Sequence, residues 1–275
     1  MQEVTKQFGV LASPAWKRLA IAKERSLSRE SQAQDSSDTP GLVLALERIT
    51  FTVEQGEILG ICGTQSSGKT TLIRLLAALL IPDQGTIRVF GYDTAVYAAA
   101  AQQLTNPVSV DASFFRRLSA VENLVYTNRS ITSEPGFFRE RAIELLTRLG
   151  MDPSEMDLPM GLLSRTAQQN VTLTHALMAC PPLLLLDDPI AGLDNQARQS
   201  LAELLKELRT ALCTTIIFTT RSHKETSDLC DRVAILKQGK LLVIESPLAL
   251  ESRMVGSDIH LANGELSRQA ANITA

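Results

Sequence analysis

A short glycine-bounded segment of the chain has the residue types and spacing of a phosphate-binding loop. Gly63–Thr70 reads GTQSSGKT and fits GxxxxGK[ST], the Walker A pattern. The apolar run Glu57–Cys62 predicts a strand before it, and the apolar face of Thr70–Leu80 predicts a helix after it. A loop in this position turns its backbone N–H groups toward one point, where the helix N-terminus adds positive charge. The pattern indicates a site for nucleotide phosphates; a chance glycine-rich turn is the alternative interpretation.

The types of the loop residues suggest how they would divide the work. Lys69 would reach the β- and γ-phosphates, and Thr70 would give its hydroxyl oxygen to Mg²⁺. The other predicted phosphate contacts come from the rest of the loop and the next residue: Gly63, Thr64, Gln65, Ser66, Ser67, Gly68 and Thr71.

A second candidate motif lies far downstream, where an apolar run ends in two carboxylates. Leu183–Leu186 is followed by Asp187 and Asp188. A buried strand that ends in a carboxylate at the carboxyl edge of a sheet is how a P-loop fold places its Walker B metal ligand. We therefore predict that Asp187 holds Mg²⁺; a core strand followed by an acidic turn is the alternative.

The elements around these motifs alternate between strands and helices. This order predicts a parallel sheet covered on both faces. The predicted strands include Thr86–Phe90, Thr214–Phe218 and Val233–Leu236, helix Gln196–Leu212 lies between two strands, and Val96–Gln169 is mostly helical.

Composition excludes several classes of protein. The chain has 275 residues, 44% of them hydrophobic and 21% charged, which argues against a disordered chain, a collagen-like fibre and a disulfide scaffold. A net charge of −3 gives no basic field for nucleic acid. The apolar runs are shorter than a membrane span needs, and the first ten residues lack an apolar signal core, so we expect a soluble cytoplasmic protein. Four widely spaced cysteines indicate core residues of a reducing compartment rather than metal ligands: Cys62, Cys180, Cys213 and Cys230.

Two segments differ from the rest. Residues 12–40 contain a possible basic amphipathic helix that begins near Pro14, followed by a Ser- and Gln-rich linker. One interpretation of this segment is a contact with a membrane surface or a partner. The interpretation that we favour is an insertion packed loosely on the surface. Residues 251–275 are predicted to form a C-terminal tail.

The sequence around the second motif resembles a known family. Asp188–Asp194 reads DPIAGLD and is similar to the DEPxxGLD run of ATP-binding-cassette (ABC) ATPases. Leu42–Phe90, Arg116–Leu124, Asp157–Ser164 and Leu229–Leu236 also resemble that family's segments, so the resemblance covers about residues 3–250. The approach to the signature motif is similar to that of ABC-2-type exporter ATPases.

The resemblance implies a fold, ligands and partners. The fold is α/β: a P-loop NTPase (RecA-like) core with a parallel sheet, an antiparallel β subdomain and an inserted α-helical subdomain at about 105–170, together spanning residues 1–250. The ligands are ATP and Mg²⁺, with Phe8 stacking on adenine and Ser164 contacting the nucleotide across a face-to-face homo- or heterodimer. The partner is a membrane permease, which places the chain peripherally at the inner face of the membrane; no nucleic acid is implied.

The sequence departs from the family pattern at four places. Asp188 stands where the family has its catalytic Glu, and Arg221 where it has the switch His. Leu163–Ala167 reads LSRTA in place of LSGGQ, and the register puts Val110 at the Q-loop glutamine. The predicted catalytic residues are Asp188 and Arg221; His223 is interpreted as a helix-surface residue rather than a displaced switch.

Two functional hypotheses remain. The first is an ABC ATPase subunit that hydrolyses ATP slowly to power export, and the second is a hydrolysis-deficient module whose ATP-dependent docking assembles or regulates a partner. A kinase or GTPase would not explain Asp188–Asp194. A chromosome-maintenance ATPase would need long coiled coils between its two Walker motifs, and Phe90–Leu183 is too short to contain them.

Overall fold

The structure is a computed structural model, and it describes residues 1–9, 42–105, 114–127, 135–221 and 229–256. The predicted insertion at 12–40, including its Pro14 helix, lies outside the described residues. So do Val110, His223 and most of the predicted tail.

A five-stranded sheet forms the centre of the described part. Its strands lie in the order β10-β9-β3-β8-β7, with β3, β7, β8 and β9 parallel and β10 antiparallel to β9 at one edge. The strands are β3 Ile58–Cys62, β7 Leu183–Leu186, β8 Thr215–Thr220, β9 Arg232–Lys237 and β10 Lys240–Glu245. Every residue of β3, β7 and β8 is buried, as expected for strands covered on both faces. The predicted parallel sheet is confirmed.

Two apolar cores lie on opposite faces of this sheet because successive side chains of a strand alternate between faces. Leu184 and Leu186 belong to the core shared with the helical subdomain, whereas Leu183 and Leu185 belong to the core shared with the phosphate-loop helix and the antiparallel strands. The alternation explains why all four leucines of β7 are buried.

The antiparallel β subdomain contains three strands in the order β2-β1-β4 and a separate hairpin. The strands are β1 Gln2–Gly9, β2 Leu42–Ile49, β4 Gln84–Thr86, β5 Arg88–Val89 and β6 Tyr92–Asp93. The prediction of one strand over Thr86–Phe90 was wrong, since β4 pairs with β1 whereas β5 pairs with β6. The chain changes partners at Ile87, which accepts a hydrogen bond from the amide of Thr94 instead.

The described helices divide between the core and the helical subdomain. They are α1 Lys69–Leu76, α2 Ala98–Thr105, α3 Ala120–Thr127, α4 Pro135–Arg148, α5 Pro153–Met156, α6 Arg165–Ala179, α7 Asn195–Leu212 and α8 Pro247–Gly256, with a 3₁₀ turn at Met160–Leu162. The predicted helix over Thr70–Leu80 was too long at its C-terminal end. Ala78 adopts a left-handed φ of 55° that closes α1 after Leu76, and Leu79 is left 47% exposed.

The last described helix crosses the predicted domain boundary at residue 250, so the predicted tail begins inside α8. Among the described residues, no helix is both long and apolar enough to cross a membrane.

Candidate nucleotide-binding site

The phosphate loop lies between β3 and α1 and is anchored by main-chain contacts to other elements. The amide of Gly63 donates to the carbonyl of Thr220 (3.2 Å), and the Ser67 carbonyl accepts from the amide of Gly239 (3.0 Å). Gly68 has a φ of 104°, and a Cβ there would lie 2.6 Å from the carbonyl oxygen of Ala45. These positions require the loop's glycines for backbone geometry as well as for ligand approach.

The predicted loop residues occupy two layers. Gln65, Ser66, Lys69 and Thr70 line a cleft of about 780 Å³, whereas Ser67 is buried beneath them. Ser66 adopts a left-handed φ of 61°, a conformation in which glycine carries no steric cost. Ser66 therefore has a backbone conformation that glycine would adopt more easily.

Lys69 is 8% exposed, and its ammonium is held over the loop. Its Nζ donates to the carbonyl oxygens of Gly63 (2.7 Å) and Thr64 (2.8 Å). Burial lowers the pKa of the Lys69 ammonium, and the nearby carboxylates of Asp188 and Asp187 oppose that shift. This desolvated cation at the N-terminus of α1 is suited to bind phosphate oxygens.

Thr70 and Asp187 meet across the end of the sheet although they are far apart in sequence. The Thr70 hydroxyl donates to Oδ2 of Asp187 at 2.6 Å. A hydroxyl and a carboxylate side by side are hard oxygen donors, the type that Mg²⁺ selects, with phosphate and water oxygens completing its octahedron. The donors present therefore fit a Mg²⁺ ion bound together with a nucleotide.

The two predicted catalytic residues are in direct contact. Arg221 Nε lies 3.0 Å from Oδ2 of Asp188, in an ion pair in which the aspartate side chain is 22% exposed. Asp188 has a left-handed φ of 51°, and its amide donates to the hydroxyl of Thr219 at 2.8 Å. The residues at the general-base and switch positions therefore form one unit.

The segment predicted to be the signature motif begins helix α6. The Ser164 hydroxyl accepts from the amide of Ala167 (3.1 Å) and caps the helix, and Arg165 lines the same cleft as the phosphate loop. Phe8 lies in β1 opposite Val43, as the predicted strand requires; its contact with adenine stays a prediction.

Sequence reasoning missed two residues of this region. The Thr219 hydroxyl donates to Oδ1 of Asp187 at 2.6 Å, and the Gln169 amide donates to the carbonyls of Asp188 (3.3 Å) and Pro189 (3.4 Å). No local pattern in the sequence distinguishes Thr219 or Gln169 as part of the site. Both contacts depend on tertiary structure.

Comparison with known proteins identifies relatives of one kind. Residues 46–191 match the family model described as ABC transporter. The chain is 32% identical to the Nod factor export ATP-binding protein I of Sinorhizobium fredii, over 91% of this chain and 74% of that protein. It is 30% identical to the linearmycin resistance ATP-binding protein LnrL of Bacillus subtilis, over 83% of this chain and 73% of that protein. It is 32% identical to the sulfate/thiosulfate import ATP-binding protein CysA of Xylella fastidiosa, over 82% of this chain and 65% of that protein.

Solved structures show the same fold. The dimeric bacterial ABC transporter cassette MJ0796 superposes with a TM-score of 0.70 at 20% identity, over 90% of this chain and 97% of that one. The phosphate loop, the Thr70–Asp187 pair and the matches above agree, and the chain therefore belongs to the ABC transporter family as an ATP-binding subunit.

Proposed function

We propose that this chain binds Mg-ATP, closes with a second ATP-binding domain and couples that closure to a separate membrane permease, while its own hydrolysis is slow. The proposal rests mainly on one observation: the ion pair between Asp188 and Arg221 beside an intact phosphate loop. Binding and hydrolysis would then be unequal in this chain.

The ion pair bears directly on the attack of water on ATP. A general base must offer a lone pair to the water proton, at hydrogen-bond distance. Here the guanidinium occupies one Asp188 oxygen at 3.0 Å, and aspartate is one methylene shorter than glutamate. A misplaced general base forfeits about 10²–10⁴ in rate. In addition, an arginine guanidinium at this position can stabilise negative charge but does not take the role of a histidine imidazole in moving a proton.

The residues predicted to contact the phosphates and the metal ion, in contrast, support normal binding of Mg-ATP. The buried Lys69 ammonium and the contact between Thr70 and Asp187 support binding of a nucleotide and a metal ion, and the cleft of about 780 Å³ has the size of a cofactor site. When bound, Mg²⁺ would neutralise phosphate charge. The chain's own contribution would be to hold the ion through the Thr70 and Asp187 oxygens.

Export is the direction that we favour. The Nod factor export protein and the linearmycin resistance protein are among the relatives, but so is a sulfate importer of equal identity to the first. The signature approach in Asp157–Ser164, which resembles ABC-2-type exporters, supports export.

Single-turnover hydrolysis of Mg-ATP by the purified chain tests the proposal, with ATP binding measured in the same samples and Lys69→Ala as the blank. We expect tight binding with turnover close to the blank. The double variant Asp188→Glu, Arg221→His should raise turnover by about tenfold or more, because it restores the reach of the base and removes its cationic partner.

The outcomes separate the two hypotheses. Fast turnover by the unchanged chain would overturn slow hydrolysis and make the chain an ATPase in its own right. Binding without turnover, and no gain in the double variant, would favour a regulatory module that acts by ATP-gated docking.

A further inference from the structure

We propose that Thr219 is a positioning residue that joins the metal-ligating Asp187 to Asp188 and so fixes both carboxylates in one geometry. The inference rests on the proposed binding of Mg-ATP. It concerns a residue that itself makes no predicted contact with the nucleotide.

One hydroxyl group makes both links. Thr219 Oγ1 donates its proton to Oδ1 of Asp187 at 2.6 Å and accepts the amide proton of Asp188 at 2.8 Å. The residue is fully buried (0% exposed), so neither bond competes with bulk water. A hydroxyl has one proton to donate, and here that proton goes to the aspartate that faces the metal position.

The second link holds Asp188 in an uncommon backbone conformation. Its φ of 51° lies in the left-handed region, which residues other than glycine adopt infrequently, and surrounding contacts hold it there. Thr219 binds the amide of this residue from β8, and Gln169 binds its carbonyl from α6. The direction of the Asp188 side chain, including its pairing with Arg221, depends on these main-chain contacts.

The first link completes the hydrogen bonding of Asp187. One of its oxygens accepts from Thr70 and the other from Thr219. A fixed carboxylate binds a metal ion without first losing rotational freedom, and removal of such an outer hydrogen bond typically lowers metal affinity or activity by about 10- to 100-fold. Thr219 therefore acts on the metal through Asp187.

The test compares Thr219→Val, which keeps the shape and removes the hydroxyl, with Thr219→Ser, which restores it. Thr215→Val is the matched control: Thr215 is buried in the same strand, and its hydroxyl accepts from the amide of Gly56 at 3.0 Å, at the far end from the site. All variants are made in the full chain, and their stability is compared by thermal unfolding.

Three readouts are expected to change together in Thr219→Val. The Mg²⁺ concentration that supports ATP binding should rise by about tenfold or more, while ATP binding in EDTA stays unchanged. Amide hydrogen exchange in the peptide that contains Asp188 should accelerate without nucleotide. Any measurable single-turnover rate should fall by about 10- to 100-fold. Thr219→Ser should stay within about threefold of the unchanged chain, and Thr215→Val should match it.

The proposal is overturned if Thr219→Val keeps the Mg²⁺ dependence and the Asp188 amide exchange of the unchanged chain, or if Thr215→Val shifts them equally. Failure of the proposed function looks different. If the unchanged chain does not bind ATP, that function fails, whereas amide exchange still decides whether Thr219 holds Asp188.

Discussion

The phosphate-binding half and the hydrolysis half of this site are built in different ways. The first uses residues that are neighbours in sequence, Gly63–Thr70, and needs one distant side chain, Asp187. The second combines Asp188, Arg221 and the start of α6, which come from separate segments, and the sequence predicts that all of them depart from the family pattern. Under the proposed function, the contrast means that the geometry for binding ATP is kept while the groups proposed to act on the attacking water are changed.

We expect the largest effect from a variant that disrupts the phosphate-binding half. Gly68→Ala should abolish ATP binding, because the new Cβ would lie 2.6 Å from the Ala45 carbonyl oxygen at a φ of 104°. Gly91→Ala is the matched control, since Gly91 also has a positive φ (85°) but no atom lies within 4 Å of the new Cβ. The control should lose only about 1–2 kcal/mol of unfolding free energy and bind ATP normally.

Equilibrium ATP titration and urea unfolding of both variants measure this difference. Normal ATP binding by Gly68→Ala would contradict the idea that the intact half depends on close main-chain packing. Equal losses of ATP affinity in Gly68→Ala and Gly91→Ala would assign the effect to backbone strain alone.

An intermediate effect should come from repair of the altered half. The double variant Arg165→Gly, Thr166→Gly removes two exposed side chains from the first turn of α6, where the family pattern has glycines. Because the helix N-terminus could then approach a phosphate more closely, we expect ATP-dependent self-association to tighten by about tenfold, equivalent to about 1.4 kcal/mol.

Sedimentation velocity with and without Mg-ATP measures this association. Leu248→Gly, Ala249→Gly makes the same kind of change in the first turn of α8, at two exposed positions, and should leave association unchanged. If the α6 variant binds ATP but associates no better, bulk in the signature segment does not limit closure.

The smallest effect concerns a pH response that lies outside both halves. His175 is on α6, and its ring packs edge-to-face against Phe114, with the ring centroids 6.5 Å apart. Burial lowers the pKa of the His175 imidazole. A lowered pKa in the folded state means that the stabilising contribution of the neutral ring is present above about pH 6.5 and is lost as the pH falls below that value. His175→Gln should therefore reduce the loss of stability between pH 7.5 and 5.5 by up to about 1 kcal/mol.

Urea unfolding at these two pH values checks the effect, with ATP affinity at pH 7.5 as the internal control. An unchanged pH dependence in His175→Gln would assign the acid response to other groups. A change in ATP affinity would connect this part of α6 to the phosphate loop.

Most of the fold and the binding half could be predicted from local patterns. The order of strands and helices predicted the parallel sheet, since strands buried on both faces, such as Leu183–Leu186, are apolar without interruption. Element ends were less predictable. Ala78 closes α1 by adopting a left-handed conformation, although the apolar pattern continues to Leu80, and Ile87 separates two strands because each has a different partner.

By itself, the sequence determined the family and the phosphate loop and predicted Asp188 and Arg221 at the catalytic positions, because each is a property of residue type and spacing. Only the tertiary structure decided that these two residues form an ion pair and that Thr219 and Gln169 hold Asp188. The physical reason is distance along the chain. The hydrogen bonds of Asp188 join the end of β7 to α6 and β8. They depend on how two parallel strands and their covering helix meet at one edge of the sheet, and no local sequence pattern specifies that arrangement.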